Sequence, residues 1–180
     1  MQAWTLWLIG LPGSGKSAIA KRLRYKLEDR GVYAQILSTD ELRKVMTPNP
    51  TYSEEERETV YATVVYFAQI LNMNGVSVII DGTGNRKKYR DLARSTLKRF
   101  ALVYVKCPLE ITIEREKNRR NSTAPKGIYE KALTGKSATV PGVNVPFEEP
   151  TDATLTVYTD RMGASECADE IIYNLWGRFF

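Results

Sequence analysis

The sequence predicts an α/β protein, a three-layer α/β/α sandwich around a mainly parallel five-stranded sheet. Two observations predict it. Five short runs rich in β-branched and aromatic residues alternate with longer amphipathic segments, as in βαβ units. Each run is apolar almost throughout, which is typical of strands covered by helices on both faces. With 180 residues, the chain is expected to form a single domain, 1–180.

The elements follow one another in a regular order. The predicted strands cover residues 5–10, 32–37, 76–81, 101–106 and 153–159. The predicted helices cover residues 16–30, 41–46, 53–74, 87–99, 109–118 and 165–176. Gly31 and Gly75 are plausible helix stops, and Ser53 with Glu56 forms a capping box at the start of the long helix.

The stretch 118–150 breaks this alternation. It is rich in Arg, Lys, Ser, Thr, Gly and Pro, and only residues 127–133 look helical. A loop of this length in a compact domain is usually functional. Its place between the fourth and fifth strands predicts a lid that closes over bound phosphates.

Composition excludes several classes of function. The 26 basic and 21 acidic residues leave a modest positive excess, which favours a small anionic substrate and makes nucleic-acid binding unexpected. Histidine is absent, so no mechanism can use an imidazole base or ligand. Cys107 and Cys167 lack metal or disulfide spacing, which predicts buried thiols in the cytoplasm. No apolar run approaches the roughly 20 residues that span a membrane.

The segment GLPGSGKS at residues 10–17 carries the most specific signal. It fits G-x-x-x-x-G-K-S/T between a predicted strand and a predicted helix, which identifies a P-loop and narrows the fold to the P-loop NTPases. Its backbone N–H groups and the helix N-terminus are expected to hold the phosphates of ATP. We expect Lys16 to neutralise the β- and γ-phosphates and Ser17 to ligate Mg²⁺. The predicted ATP-binding residues are Gly10, Leu11, Pro12, Gly13, Ser14, Gly15, Lys16, Ser17 and Ala18.

Two aspartates follow predicted strands, where ligands of open α/β sheets bind. Asp81 ends the run VSVIID and has the form of a Walker B carboxylate that holds magnesium; the alternative is a turn residue. Asp40 is predicted to orient or deprotonate an acceptor hydroxyl, and its position also suits a helix N-cap. Lys16, Asp40 and Asp81 are therefore the predicted catalytic residues, with Ser17 and Asp81 as metal ligands.

Basic residues surround these positions. Arg43 lies one helical turn after Asp40 and is a candidate clamp for an anionic acceptor, whereas Arg57 could equally be a surface ion-pairing residue. Arg86 follows the DGTG turn, where a solvated helix start is the alternative. A further basic run is predicted to close over the nucleotide and stabilise the transferred charge, unless it is simply solvated: Arg115, Arg119, Arg120 and Lys126.

The lid sequence PKGIYEKALTGKSATVPGVNVPFEEP at residues 125–150 resembles the corresponding segment of the adenylyl-sulfate kinase family. Three further features fit the same family: Asp40-x-x-Arg43, the Tyr-Ser-x-x-x-Arg entry to the long helix, and Tyr-Thr-Asp at residues 158–160. The resemblance implies phosphate transfer from ATP to the 3′-hydroxyl of adenosine 5′-phosphosulfate (APS), and it implies a homodimer. By position, Lys126 would contact phosphate or sulfate, and Arg43 and Arg57 would hold the acceptor.

The sequence departs from the family where the acceptor is recognised. The family's Asp-Gly-Asp is Ser38-Thr39-Asp40, its Ile-Ser-Pro is Thr83-Gly84-Asn85, and its lid phenylalanine is Val140. The resemblance still assigns Thr83, Asn85, Arg86 and Val140 to the acceptor site. Two alternatives stay open: a kinase for another hydroxyl, on a nucleic-acid end, an aminoacyl-tRNA or a small alcohol, and a non-catalytic nucleotide-binding module.

Overall fold

The computed structural model of the protein describes residues 2–118 and 126–180. Its centre is a five-stranded sheet in which every neighbouring pair of strands is parallel, with the order β2-β3-β1-β4-β5. The strands are β1 (Thr5–Ile9), β2 (Ala34–Ser38), β3 (Ser77–Asp81), β4 (Phe100–Lys106) and β5 (Leu155–Tyr158). The predicted fold class is confirmed.

Helices connect the strands in the predicted order. They are α1 (Lys16–Glu28), α2 (Thr39–Met46), α3 (Glu54–Met73), α4 (Lys87–Thr96), α5 (Leu109–Asn118), α6 (Ile128–Leu133) and α7 (Ala164–Leu175). The prediction was wrong about the end of α4, which stops at Thr96 rather than at residue 99. Leu97 adopts an extended conformation and is buried, so packing into the core ends this helix early.

The alternation of side chains along β1 divides the core into two layers. Leu6 and Leu8 face α1 and α7 on one side of the sheet, and Trp7 and Ile9 face α3 and α4 on the other. All four side chains are fully buried. Burying a side chain of this size contributes about 1.5–3 kcal/mol, so β1 is fixed in both layers. The loop that follows β1 therefore starts from a rigid strand.

Parallel pairing brings three strand ends to the same edge of the sheet. Leu8 of β1 is in register with Asp81 of β3, and Asp81 is in register with Ser38 of β2. The loop after β1, the start of α2 and the end of β3 therefore lie side by side. This edge is where ligands bind in open α/β sheets.

The described part of the stretch 118–150 packs over this edge. The Tyr129 hydroxyl of α6 donates a hydrogen bond of 2.7 Å to the Pro12 carbonyl in the loop after β1. At the other end, the Glu148 backbone N–H donates to the Asn85 carbonyl at 2.8 Å. Both ends of the stretch thus contact residues next to the strand ends.

Two further observations concern the predictions from composition. Cys107 and Cys167 are buried and free, in agreement with the prediction of buried thiols. Among residues 2–118 and 126–180, no helix combines the length and apolar character that crossing a bilayer requires.

Candidate active site

A cavity of about 510 Å³ opens at the carboxyl edge of the sheet. The loop after β1, the start of α2, the start of α3 and the described lid segment enclose it. The structure brings most of the predicted site residues to its wall: Pro12, Gly13, Gly15, Lys16, Ser17, Ala18, Asp40, Arg43, Arg57, Asp81, Thr83, Arg115 and Val140. Residues from six separate stretches of the chain therefore share one space.

The loop at residues 10–17 has positive φ at its three glycines, and at two of them a side chain would also collide with the backbone. Gly10 has φ +152°, and a Cβ there would lie 2.4 Å from the Val105 carbonyl oxygen. Gly13 has φ +81°, and a Cβ there would lie 2.6 Å from the Thr112 carbonyl oxygen. Because α1 starts directly after this loop, backbone N–H groups and the positive end of the helix dipole meet at its mouth. This arrangement suits a polyphosphate.

Lys16 is the first residue of α1, and its side chain folds back over the loop. Its ammonium group donates to the Gly10 carbonyl at 3.0 Å and to the Leu11 carbonyl at 2.9 Å. Lys16 is 8% exposed and lines the cavity. The ammonium group is thereby held at the phosphate-binding loop, where a bound polyphosphate would find a fixed positive charge.

Ser17 and Asp81 face each other at the end of β3. Both line the cavity, and Asp81 is 7% exposed. Burial raises the pKa of Asp81, while the Lys16 charge and the Ser17 hydrogen bond oppose the shift. One carboxylate and one hydroxyl beside a phosphate loop are oxygen donors of the kind that Mg²⁺ prefers. The residues present therefore fit a magnesium site.

Asp40 lines the cavity as the second residue of α2, near enough to Asp81 for its charge to raise the Asp81 pKa. The alternative that Asp40 caps this helix is wrong, because the Ser38 hydroxyl is the cap and accepts a 3.5 Å hydrogen bond from the Glu41 backbone N–H. The Asp40 carboxylate is partly buried. Its side chain is positioned to accept a proton from a hydroxyl group in the cavity.

The wall beyond Asp40 is positively charged. Arg43 and Arg57 are both buried, and the ring of Tyr52 lies between them, with its centroid 4.8 Å from the Arg43 guanidinium and 5.9 Å from that of Arg57. Arg43 forms an ion pair with Glu56. Arg57 donates to the Tyr52 carbonyl at 3.1 Å and to the Thr139 carbonyl of the lid at 2.6 Å. Arg57 is therefore not the surface ion-pairing residue that the sequence left possible.

Arg115 of α5 also lines the cavity. Its guanidinium donates to the Thr159 hydroxyl at 3.1 Å and to the Thr159 carbonyl at 2.6 Å. The Thr159 hydroxyl in turn donates to the Ser14 carbonyl at 2.9 Å. These hydrogen bonds connect α5 and the end of β5 to the phosphate-binding loop. Arg115 is therefore held beside that loop.

Other predicted site residues lie outside the cavity wall. Gly10, Leu11 and Ser14 shape the loop from behind: Ser14 is fully buried, and its backbone N–H donates to the Leu11 carbonyl at 3.1 Å. Lys126 is exposed and does not line the cavity. Arg119 and Arg120 fall outside the described residues.

Asn85 and Arg86 contact the lid rather than the cavity. The Asn85 amide donates to the Pro146 carbonyl at 3.1 Å, and the Arg86 guanidinium forms a 3.0 Å ion pair with Glu148. The structure thus gives both residues an anchoring role at the end of the lid. No pattern in the sequence revealed this, because the partners are about 60 residues away.

Several cavity residues were not predicted. Lys21, Tyr61 and Lys131 line the cavity from α1, α3 and α6, and no role was predicted for them. The i, i+4 spacing of Ser17 and Lys21 on a helix was an available signal. Tyr61 gave none, because a tyrosine within an apolar helix face is usually a core residue. Here its hydroxyl accepts a 2.9 Å hydrogen bond from the Gly84 backbone N–H.

Comparison with known proteins identifies the family. The sequence profile of the family described as adenylylsulphate kinase matches residues 2–158. The chain belongs to the adenylyl-sulfate kinase family. A probable adenylyl-sulfate kinase of Pyrococcus abyssi is 37% identical over 172 residues, covering 96% of this chain and 94% of the relative. The adenylyl-sulfate kinase of Rippkaea orientalis is 31% identical, covering 97% and 90% of the two chains.

A solved structure of the same family agrees with this assignment. The APS kinase of Mycobacterium tuberculosis, in complex with AMPPNP and APS, superimposes with a TM-score of 0.85 at 28% identity. The match covers 97% of this chain and 98% of that chain. The resemblance found in the lid sequence is therefore confirmed at the level of family and fold.

Proposed function

We propose that this member of the adenylyl-sulfate kinase family transfers the γ-phosphoryl group of ATP to the 3′-hydroxyl of APS, giving 3′-phosphoadenosine 5′-phosphosulfate and ADP. One observation carries the proposal. A single cavity is lined by the phosphate-binding loop with Lys16, by the buried cations Arg43 and Arg57, and by the carboxylate of Asp40. Two anionic ligands can therefore occupy it together.

Each residue has a role in this reaction. Lys16 binds the β- and γ-phosphates and offsets the charge that develops as the phosphoryl group moves. Asp40 accepts the proton of the attacking hydroxyl. Ser17 and Asp81 would hold Mg²⁺, which supplies charge neutralisation at the transferring phosphate. Because phosphoryl transfer depends mainly on positioning and electrostatics, no histidine is needed.

The remaining assignments are part of the same proposal. Arg115 lines the cavity beside the phosphate-binding loop and serves ATP, and Arg119, which lies outside the described residues, is assigned the same role. Arg43, Arg57, Thr83 and Val140 line the acceptor side, where the two buried guanidinium groups match the phosphosulfate anion of APS. Asn85 and Arg86 support this side by anchoring the lid. Lys126 would reach the acceptor or ATP only in another position of the lid.

An acceptor screen tests the proposed function. Purified protein is incubated with ATP and Mg²⁺, and ADP release is measured by a coupled assay with APS, nucleosides, serine, small alcohols and RNA 5′ ends. We expect turnover with APS to exceed turnover with every other acceptor. ADP release with another hydroxyl and none with APS would transfer the assignment to a different kinase activity. Nucleotide binding without release in any mixture would indicate a non-catalytic module.

Replacing Asp81 tests the magnesium site. We expect Asp81→Asn to raise the Mg²⁺ concentration for half-maximal activity by about tenfold or more, because the replacement removes the carboxylate that ends β3 and lines the cavity with Ser17. A second effect follows from burial, which raises the pKa of Asp81 and so favours its protonated form. Protons then compete with the metal, and the wild-type Mg²⁺ requirement should increase as the pH falls.

The control for this measurement is Asp91→Asn, which alters an exposed ion pair with Lys87 on α4. Its Mg²⁺ requirement should equal that of the wild type, since exposed pairs contribute little. An unchanged Mg²⁺ titration for Asp81→Asn would remove Asp81 from the metal site.

The domain organisation, cellular location and oligomeric state of the protein are also proposals. We propose that the chain works as one kinase domain with a lid at residues 118–150, in the cytoplasm, as a homodimer. Apolar side chains along α3 offer a surface for a second copy: Tyr66 is 57%, Ile70 39% and Met73 76% exposed. These residues recur at i, i+4 and i+7, so they share one face of the helix.

Sedimentation velocity tests the dimer. The wild type is expected to sediment as a dimer, and Ile70→Glu combined with Met73→Glu as a folded monomer, because charges on this face would oppose self-association. Tyr173→Glu is the matched control, since Tyr173 is 84% exposed and lies on α7, on the other side of the sheet from α3. A monomeric wild type, or a dimeric double variant, would contradict the proposed surface.

A further inference from the structure

Glu56, in the first turn of α3, collects hydrogen bonds from two separate parts of the chain. Its side chain is 9% exposed and forms the ion pair with Arg43 of α2. Its second carboxylate oxygen accepts from the Thr51 backbone N–H at 2.5 Å, the Thr51 hydroxyl at 2.7 Å and the Tyr52 backbone N–H at 3.1 Å. The carboxylate therefore joins α2 to the loop before α3 through charge-assisted bonds.

This arrangement differs from the capping box that the sequence predicts. The Ser53 hydroxyl does accept from the Glu56 backbone N–H at 3.2 Å, which is one half of that motif. The Ser53 backbone N–H, however, donates to the Thr51 hydroxyl rather than to Glu56. The carboxylate is thus not used to cap its own helix and is available to hold the preceding loop.

The loop that Glu56 holds contains an unfavourable backbone conformation. Tyr52 has φ +55° and is the one non-glycine residue with positive φ among residues 2–118 and 126–180. A residue with a bulky side chain adopts this region only when its surroundings enforce it. The hydrogen bonds from two successive N–H groups to one carboxylate oxygen supply that enforcement.

The conformation of Tyr52 places its ring in the cavity wall. The ring lies over the Arg43 guanidinium, and Arg57 donates to the Tyr52 carbonyl. Glu56 therefore contacts Arg43 and Tyr52 directly. Arg57 is held by its hydrogen bond to the Tyr52 carbonyl. Burial by itself would raise the pKa of Glu56, but hydrogen bonds from Thr51, the charge of Arg43 and the Tyr52 N–H lower it. The carboxylate stays ionised at neutral pH.

We propose that Glu56 is a positioning residue for the acceptor: its carboxylate orders the loop at residues 47–53 and orients Arg43 before the acceptor enters. The inference rests on the proposed function, because it takes the wall formed by Tyr52, Arg43 and Arg57 as the acceptor's side of the cavity. Glu56 itself does not line the cavity. It acts through Arg43 and Tyr52.

Steady-state kinetics separates this role from a general loss of structure. Glu56→Gln keeps the shape of the side chain and removes its charge, and we expect the KM for APS to rise about tenfold, with the KM for ATP within about twofold of wild type. Glu56→Asp keeps the charge and should recover part of the loss. Glu55→Gln removes an exposed charge from the same turn and should behave as wild type. Equal changes in both KM values, or none, would overturn the proposal.

Amide hydrogen exchange of residues 47–53 gives a readout that does not require turnover. Exchange in Glu56→Gln should be faster than in wild type and in Glu55→Gln, because two N–H groups lose an ionised acceptor. Unchanged exchange would overturn the ordering role even if APS is the substrate. Faster exchange in a protein that does not phosphorylate APS would support the ordering of the loop and reject the proposed acceptor.

Discussion

Lys16→Ala is expected to lower kcat/KM for phosphoryl transfer by about a thousandfold or more, because it removes the ammonium group held at the phosphate-binding loop. The loss should appear in kcat as well as in the KM for ATP, since the lysine contacts the phosphates before and during transfer. The measurement is ADP release with APS as acceptor, in wild type and variant at saturating Mg²⁺.

Lys98→Ala provides the control for this loss. Lys98 is exposed and lies just before β4, at the end of the sheet opposite to the cavity. Its replacement removes the same charge from the protein and should leave kcat/KM unchanged. Thermal unfolding of both variants shows whether they are folded. Undiminished turnover in folded Lys16→Ala would refute transfer from a nucleotide bound at this loop.

Asp40→Asn is expected to lower kcat by about a hundredfold or more and to leave the Kd for ATP nearly unchanged. The reason is that an amide cannot accept the proton of the attacking hydroxyl, while Asp40 lies in α2 and not in the phosphate-binding loop. Pre-steady-state measurement of the transfer step, together with calorimetric titration of ATP, separates the two quantities.

Glu41→Gln is the matched variant for Asp40→Asn. Glu41 is the next residue of α2, is exposed, and pairs with Lys44 at the surface. Its replacement changes the charge of the same helix turn by the same amount. If the two variants lose activity equally, the charge of α2 and not the Asp40 carboxylate would account for the effect. A kcat for Asp40→Asn within twofold of wild type would remove the proposed base.

Local patterns in the sequence predicted a large part of the site. The phosphate-binding loop could be predicted because its chemistry lies within eight consecutive residues, and glycine positions such as Gly10 and Gly13 have no substitute there. Asp81 could be predicted because a carboxylate that ends a buried parallel strand must lie at the carboxyl edge. The first inference needed only a motif of eight residues, and the second needed only the apolar pattern of one strand.

Contacts between distant residues were beyond the reach of such patterns. Asn85 and Arg86 bind the lid end, and the Glu56 carboxylate binds Arg43 and the loop before α3. In each case the local pattern allowed another partner: the cavity for Asn85, and the Ser53 N–H for Glu56. The choice depends on which groups the packed fold leaves within hydrogen-bonding distance. Sequence spacing does not contain that information.

The sequence by itself determined the order of strands and helices along the chain, the phosphate-binding loop and the two aspartates that follow strands. These features could be predicted because hydrophobic periodicity and glycine placement are local properties. The tertiary structure alone decided that Ser38 and not Asp40 caps α2, that Arg57 joins Tyr52 to the lid, and that Tyr52 is held at positive φ. These outcomes depend on burial, because a buried polar group takes whichever partner the surrounding elements bring to it.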